Sequence, residues 1–284
     1  MRNLAEILIL LLAVFAGAAL LAPLTWMAVA PTDTEGGLRI LKDLKEHDDF
    51  HRYFSRSLLF TALLGLAIQC KFSGIRSWAE VGWCSIKGNG RLLALGVLLG
   101  IASLGSLVCL SLILDVREFV TPHHSLEEWA RHLRNALATA VLVAIIEETL
   151  FRGMFFGLLR RDLAWRRAAV VSSLIYSAAH FLPDSTHNQF WLAHFLNLFL
   201  AGLILAGVYA RTGNLYFSIG IHAGWIVCLK TADFISINAL PAPSLLWGPG
   251  WLLKGQGWVA TPLLGLMVWY IFHRRDRRTE KPSD

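Results

Sequence analysis

The sequence predicts an all-α fold, a polytopic transmembrane helix bundle of about eight transmembrane helices. Three observations carry that expectation. The chain is 55% hydrophobic and only 16% charged, where soluble domains carry about 25% charged residues. Its apolar residues are bunched into runs near the roughly 20 residues that a helix needs to cross a bilayer. Helix breakers and charges collect in the segments between those runs.

The predicted spans are 4–30, 57–71, 92–115, 136–159, 165–182, 189–210, 216–235 and 258–273. Each is a sustained apolar stretch, the second and last being short. The connectors include "RRDLAWRR", "PDSTHNQ", "RTGN" and "PAPSLLWGPGWLLKGQG", all rich in turn formers or charge. The stretch 71–90 mixes Trp78 and Trp83 with Lys71 and Arg76, the composition of a segment lying along the membrane surface. The first run is followed by "AVAP" at 28–31, an Ala-x-Ala pattern. That run exceeds the usual h-region of about 7–15 residues, and Pro31 follows the possible cut, so a retained helix is expected.

Orientation follows from lysine and arginine in the short loops. The loop after the fourth span holds Arg160, Arg161, Arg166 and Arg167, the loop after the sixth holds Arg211, and the tail "HRRDRRTEKPSD" is basic. "PDSTHNQ", after the fifth, has no lysine or arginine. These segments share one side if both termini are cytoplasmic. The first loop runs against the trend, but acidic residues accompany its basic ones. The net charge of +6 then reflects anchoring to anionic lipid and gives no reason to invoke nucleic acid. Cys70, Cys84, Cys109 and Cys228 show no CxxC spacing and indicate neither a disulfide framework nor a thiolate metal site.

The fourth span contains charges that lipid does not tolerate. "VAIIEETLFRGMFFGLLRR", residues 143–161, places Glu147, Glu148 and Arg152 in an apolar run. Each such group costs on the order of 2.5–3.5 kcal/mol at a transmembrane helix centre. Glu148 and Arg152 are four apart, on one face and in the favourable Glu-before-Arg order. Glu147 is turned about 100° away from that face. One reading is a structural ion pair beside an inert, protonated Glu147. The other is a functional site, which needs polar partners on other helices. His180 in "SSLIYSAAHF" and His222 in "SIGIHAGWI" are such partners, and Glu with His suits general-base work and metal ligation. His194 and Asn197, in "WLAHFLNLF", are a weaker polar pair.

These residues resemble the motifs of the CAAX-protease and bacteriocin-processing family of intramembrane endopeptidases, also called the CPBP or ABI family, of which type II CAAX proteases are members. "EETLFR" matches the family's EExxxR. "YSAAH" gives Tyr176 and His180 for its FxxxH, and "HAGWI" gives His222 of HxxxN or HxxxD, with Ile226 at the amide or acid position. The resemblance covers about residues 130–235. It implies that Glu147 activates water with His180 and His222; Glu148, Arg152 and Tyr176 are expected to support them, and Asn197 is a further supporting candidate read first as structural. It leaves open a metal-free, glutamate-activated water or a Zn-type divalent metal held by Glu147, His180 and His222. With Ile226 unable to donate a hydrogen bond, Arg152 or Asn197 would have to serve the oxyanion.

The expected division of the chain is 1–125 for N-terminal membrane helices and loops, 126–240 for the catalytic membrane core, and 241–284 for the last helix and basic tail. The expected function is an endopeptidase cleaving a membrane-associated protein or peptide within the lipid bilayer, in a bacterial plasma membrane. The alternative is a catalytically impaired member acting as a binding or immunity module. A proton or solute pathway is disfavoured, since such pathways show repeat symmetry and mid-membrane breaks that the sequence lacks.

Overall fold

The computed structural model describes residues 2–29, 48–119, 124–181, 190–239, 245–247 and 257–273. Among them are eight long helices: α1 (Arg2–Val29), α2 (Asp48–Phe72), α3 (Gly90–Ile113), α4 (Leu126–Glu148), α5 (Trp165–Phe181), α6 (Trp191–Thr212), α7 (Tyr216–Ile235) and α8 (Ala260–His273). A 3₁₀ turn occupies Trp78–Val81, and α4 continues as a π-helix, Thr149–Phe156, ending in one α-helical stretch at Gly157–Leu159. The "AVAP" pattern runs into residues outside the described ones. The segments 183–189 and 274–284, used above to orient the chain, lie outside them too.

Of these helices, Asn3–Thr25, Gly90–Ile113 and Trp191–Thr212 contain runs long and apolar enough to cross a membrane, while Phe60–Phe72 and Ala260–His273 are shorter apolar helices. The fourth predicted span is the middle and end of a longer helix. Its true start is a capping box: the Ser125 hydroxyl accepts from the Glu128 amide at 3.2 Å. The Glu128 carboxylate in turn accepts from the Ser125 amide at 2.7 Å. The charged turns that follow the cap are helical without being apolar, so a hydropathy reading starts too late.

The chain divides into two compact units, with the division at Arg76 and Ser77. In the first, α1 packs on α2, and the Thr61 hydroxyl donates across to the Val14 carbonyl at 3.0 Å. In the second, α7 lies between α3 and α4. The α3–α7 contact is built from two small-residue pairs four apart, Gly96 with Gly100 and Gly220 with Gly224. A Cβ on Gly96 would stand 2.5 Å from the Phe217 carbonyl oxygen, and one on Gly224 2.5 Å from that of Val97. The two backbones are therefore in contact, as membrane helices with small-xxx-small faces allow. Toward the other end of α7, β1 (Arg117–Phe119) pairs antiparallel with β2 (Ser236–Asn238), in the register Arg117 to Asn238. The fold is the all-α bundle expected, and this is the one short strand pairing among the described residues. Three-residue strands so far apart in sequence leave no periodic signal. The pairing is held by Arg117, buried, whose Nε donates to the Ser236 hydroxyl at 2.9 Å and whose Nη2 reaches Asp233 at 3.3 Å.

From Ser77 onward, the segment expected along the membrane surface packs against neighbouring helices. Val81 is buried, and the Trp83 indole N–H donates to the Thr149 hydroxyl at 3.1 Å. Trp78 remains exposed. The segment is thus packed against the continuation of the fourth helix, with Trp78 left outside that contact.

Candidate active site

Three helices contribute to one polar cluster. At the end of α4, Glu148 is fully buried and accepts at Oε1 from Arg152 Nη1, 3.0 Å away. Arg152 is 1% exposed, and its guanidinium lies 4.4 Å from the centre of the Tyr176 ring on α5. That cation–π contact adds about 0.5–2 kcal/mol to a desolvated cation. From α7, His222 Nδ1 meets the same Glu148 Oε1 at 2.9 Å. Glu147 faces away from this pair, with Oε2 3.6 Å from His180 Nε2 and 3.8 Å from His222 Nε2. His180 is oriented by its other nitrogen, 2.8 Å from the Tyr176 carbonyl oxygen.

The winding of the fourth helix matters here. Directly after Glu148 it changes from α to π, the wider i→i+5 turn that is common at functional sites. The Thr149 hydroxyl donates to the Ile145 carbonyl at 2.6 Å, and the Phe151 carbonyl accepts from the Ser172 hydroxyl of α5 at 3.1 Å. Side chains thus satisfy backbone acceptors along the changed helix. Nothing in the sequence motif announced the π winding, because EExxxR reads equally well on an α-helix.

The hydrogen bonds also fix the histidine tautomers. A backbone carbonyl only accepts, so His180 carries its proton on Nδ1. Glu148, paired with Arg152, likewise accepts, so His222 also carries its proton on Nδ1. Each ring turns its Nε2 toward Glu147 Oε2, as an acceptor when neutral and as a donor when protonated. Glu147 Oε2 has no hydrogen-bond partner among the described residues. A protonated imidazole would donate from Nε2 toward Glu147 Oε2, and with the rings neutral the three acceptors face a place that a donor group can enter. Glu147 and His180 are the open members, 19% and 30% exposed, whereas His222 is at 9%. Glu147 Oε2 itself is buried, and Glu148 and Arg152 are fully enclosed.

The remaining sequence candidates are placed as follows. The Asn197 side chain donates to the Gly257 carbonyl at 2.9 Å and accepts from the Thr261 hydroxyl at 2.8 Å, joining α6 to the start of α8. Ile226 is half-buried on α7. Its neighbour Trp225 donates to the Ser103 hydroxyl at 2.9 Å. Arg152 keeps Nε and Nη2 without a hydrogen-bond partner among the described residues. No group of three or more His, Cys, Asp or Glu among the described residues is arranged to hold a metal ion.

Residues 129–228 match the family described as type II CAAX prenyl endopeptidase, Rce1-like. That interval contains every member of the cluster, and the resemblance carried by the three motifs holds over it. The chain is also similar to an uncharacterized 24.3 kDa protein of Escherichia coli, 34% identical over 88 residues. The similarity takes in 30% of this chain and 38% of that relative's length. No solved structure matches. The family match and the membrane-length helices together describe an integral membrane protein with a helical bundle.

Proposed function

We propose that the chain is an intramembrane endopeptidase, with a membrane-associated protein or peptide as substrate. The observation that carries this reading is the meeting of Glu147 with His180 and His222 from three helices, with Glu147 Oε2 3.6 and 3.8 Å from the two Nε2 atoms. A water placed there donates one hydrogen to Glu147 and the other to one imidazole Nε2. Glu147 takes the proton as the water oxygen attacks the scissile carbonyl. The proton then passes to the leaving amide nitrogen as the C–N bond breaks, giving a carboxylate and an amine. Glu148 orients His222, as the third member of a catalytic triad orients its base. Arg152, with N–H groups to spare, is better suited than Asn197 to replace the amide missing at Ile226. Glu and His are residue types that ligate Zn²⁺, but the described residues are not arranged to hold a metal ion, and no step depends on one. The plasma membrane of a bacterium, with both termini cytoplasmic, suits the basic loops.

Ile226 favours one further reading, a family member that binds its target without cleaving it. The test is a comparison of membrane peptidomes from cells bearing the wild type and Glu147→Gln. Peptides present with the wild type and missing with the variant are the expected result. Identical peptidomes, with both proteins expressed at the same level, would turn the assignment to the binding module.

A further inference from the structure

The segment Ser77–Gly90 carries none of the three motifs, yet it touches two of the helices that hold the site. The Trp83 indole donates to the Thr149 hydroxyl, and that hydroxyl donates in turn to the Ile145 carbonyl. The relay ends on the turn that precedes Glu147 and acts through the first π-helical residue after Glu148. One turn later the same segment closes on Gly153, where a Cβ would stand 2.6 Å from the Val81 carbonyl oxygen. Its other contacts reach the start of α7. The Leu215 amide donates to the Gly82 carbonyl at 3.0 Å, and the Tyr216 hydroxyl donates to the Cys84 carbonyl at 2.8 Å. The Trp83 and Tyr216 rings meet edge-on at 5.9 Å.

A π turn admits an extra residue, so where it begins decides how Arg152 is phased against Glu147 and Glu148. A slip by one residue would turn the following side chains by about 100°. Among the described residues, the side-chain donor to the Thr149 hydroxyl is the Trp83 indole.

We propose that Trp83 is a positioning residue for the site: through Thr149 it sets the winding of the helix that carries Glu147, Glu148 and Arg152. This rests on the protease reading above. Trp83 touches no reacting atom; it acts by keeping Glu148 under His222 and Glu147 toward the two Nε2 atoms.

The test uses full-length protein in membranes or detergent, as wild type, Trp83→Phe, Thr149→Val and Thr149→Ser. Phenylalanine keeps the aromatic bulk and loses the N–H, valine keeps the shape of threonine and loses the hydroxyl, and serine retains it. Trp83→Phe and Thr149→Val should each speed amide exchange at 149–153 by about two- to ten-fold, the loss of one net hydrogen bond. On a synthetic peptide bearing a Glu147-dependent cleavage junction, kcat should fall by a similar factor with KM unchanged. The double variant should be no worse than either single one, and Thr149→Ser should match the wild type. Unchanged exchange in Trp83→Phe, or exchange raised equally throughout the bundle, would overturn the proposal. So would wild-type kcat beside locally faster exchange. Failure of the protease reading is separate: the wild type itself would then yield no Glu147-dependent peptide.

Discussion

His222 is held by Glu148. Its Nδ1 lies 2.9 Å from Glu148 Oε1, the same oxygen that receives Arg152 Nη1 at 3.0 Å. The second glutamate of the motif therefore ties two helices together and fixes which nitrogen of His222 faces Glu147. The first glutamate, one residue earlier, is left to the two imidazoles.

Arg152→Ala should lower both the amount of folded protein in the membrane and any cleavage. It strands a fully buried carboxylate, a loss on the order of 3–5 kcal/mol for a buried pair. Glu148→Gln should be milder for folding but should free the His222 tautomer, visible in the ¹⁵N spectrum of labelled histidine. A normal melting temperature for Arg152→Ala, measured in detergent, would argue against the pairing as a stabilising contact.

The backbone contact between α3 and α7 predicts a contrast between two glycines of α3. Gly96→Ala places its methyl 2.5 Å from the Phe217 carbonyl oxygen, whereas at Gly105 a methyl meets only Cys228 Sγ, at 3.9 Å. Gly96→Ala should destabilise the protein by about 1–3 kcal/mol, the usual penalty of overpacking. It should reduce cleavage further by displacing His222, which lies on α7 between Gly220 and Gly224. Gly105→Ala should leave melting temperature and activity near the wild type. Equal behaviour of the two variants would show that the helices have room to separate.

Ile226 and Asn197 are predicted to separate catalysis from stability. Asn197→Ala breaks two hydrogen bonds that join α6 to the start of α8, so it should lower stability by about 1–3 kcal/mol. Its kcat, measured on the protein that remains folded, should be unchanged. Ile226→Asn adds a donor four residues after His222 and should leave cleavage unchanged or raise it. If Asn197→Ala instead reduced kcat by the roughly 10²–10³ typical of a lost oxyanion donor, Asn197 and not Arg152 would be the substitute.

Much of the bundle was legible from hydropathy because lipid imposes a single requirement on every span. The expected 216–235 is α7 to the residue, and the expected span 165–182 begins where α5 begins, at Trp165. The start of α4 was missed because its first turns are amphipathic and charged, and a capping box, not apolarity, begins it. The polar residues of the cluster stood out for a related reason: Glu147, Glu148, Arg152, His180 and His222 are the ionisable groups that an apolar run cannot leave facing lipid.

The sequence by itself determined the helices, the pairing of Glu148 with Arg152, and the need of Glu147 for partners elsewhere. Local spacing and the cost of burying charge were enough for these. Only the tertiary structure decided that His222 bonds to Glu148 as well as facing Glu147, that the fourth helix turns π directly after the two glutamates, and that Asn197 is engaged with α8. It also decided that Trp83 reaches Thr149 and that glycines of α3 and α7 interlock. Each of these joins residues far apart in the chain. Their spacing leaves no periodic trace in the sequence, and they exist only once separate helices have packed together.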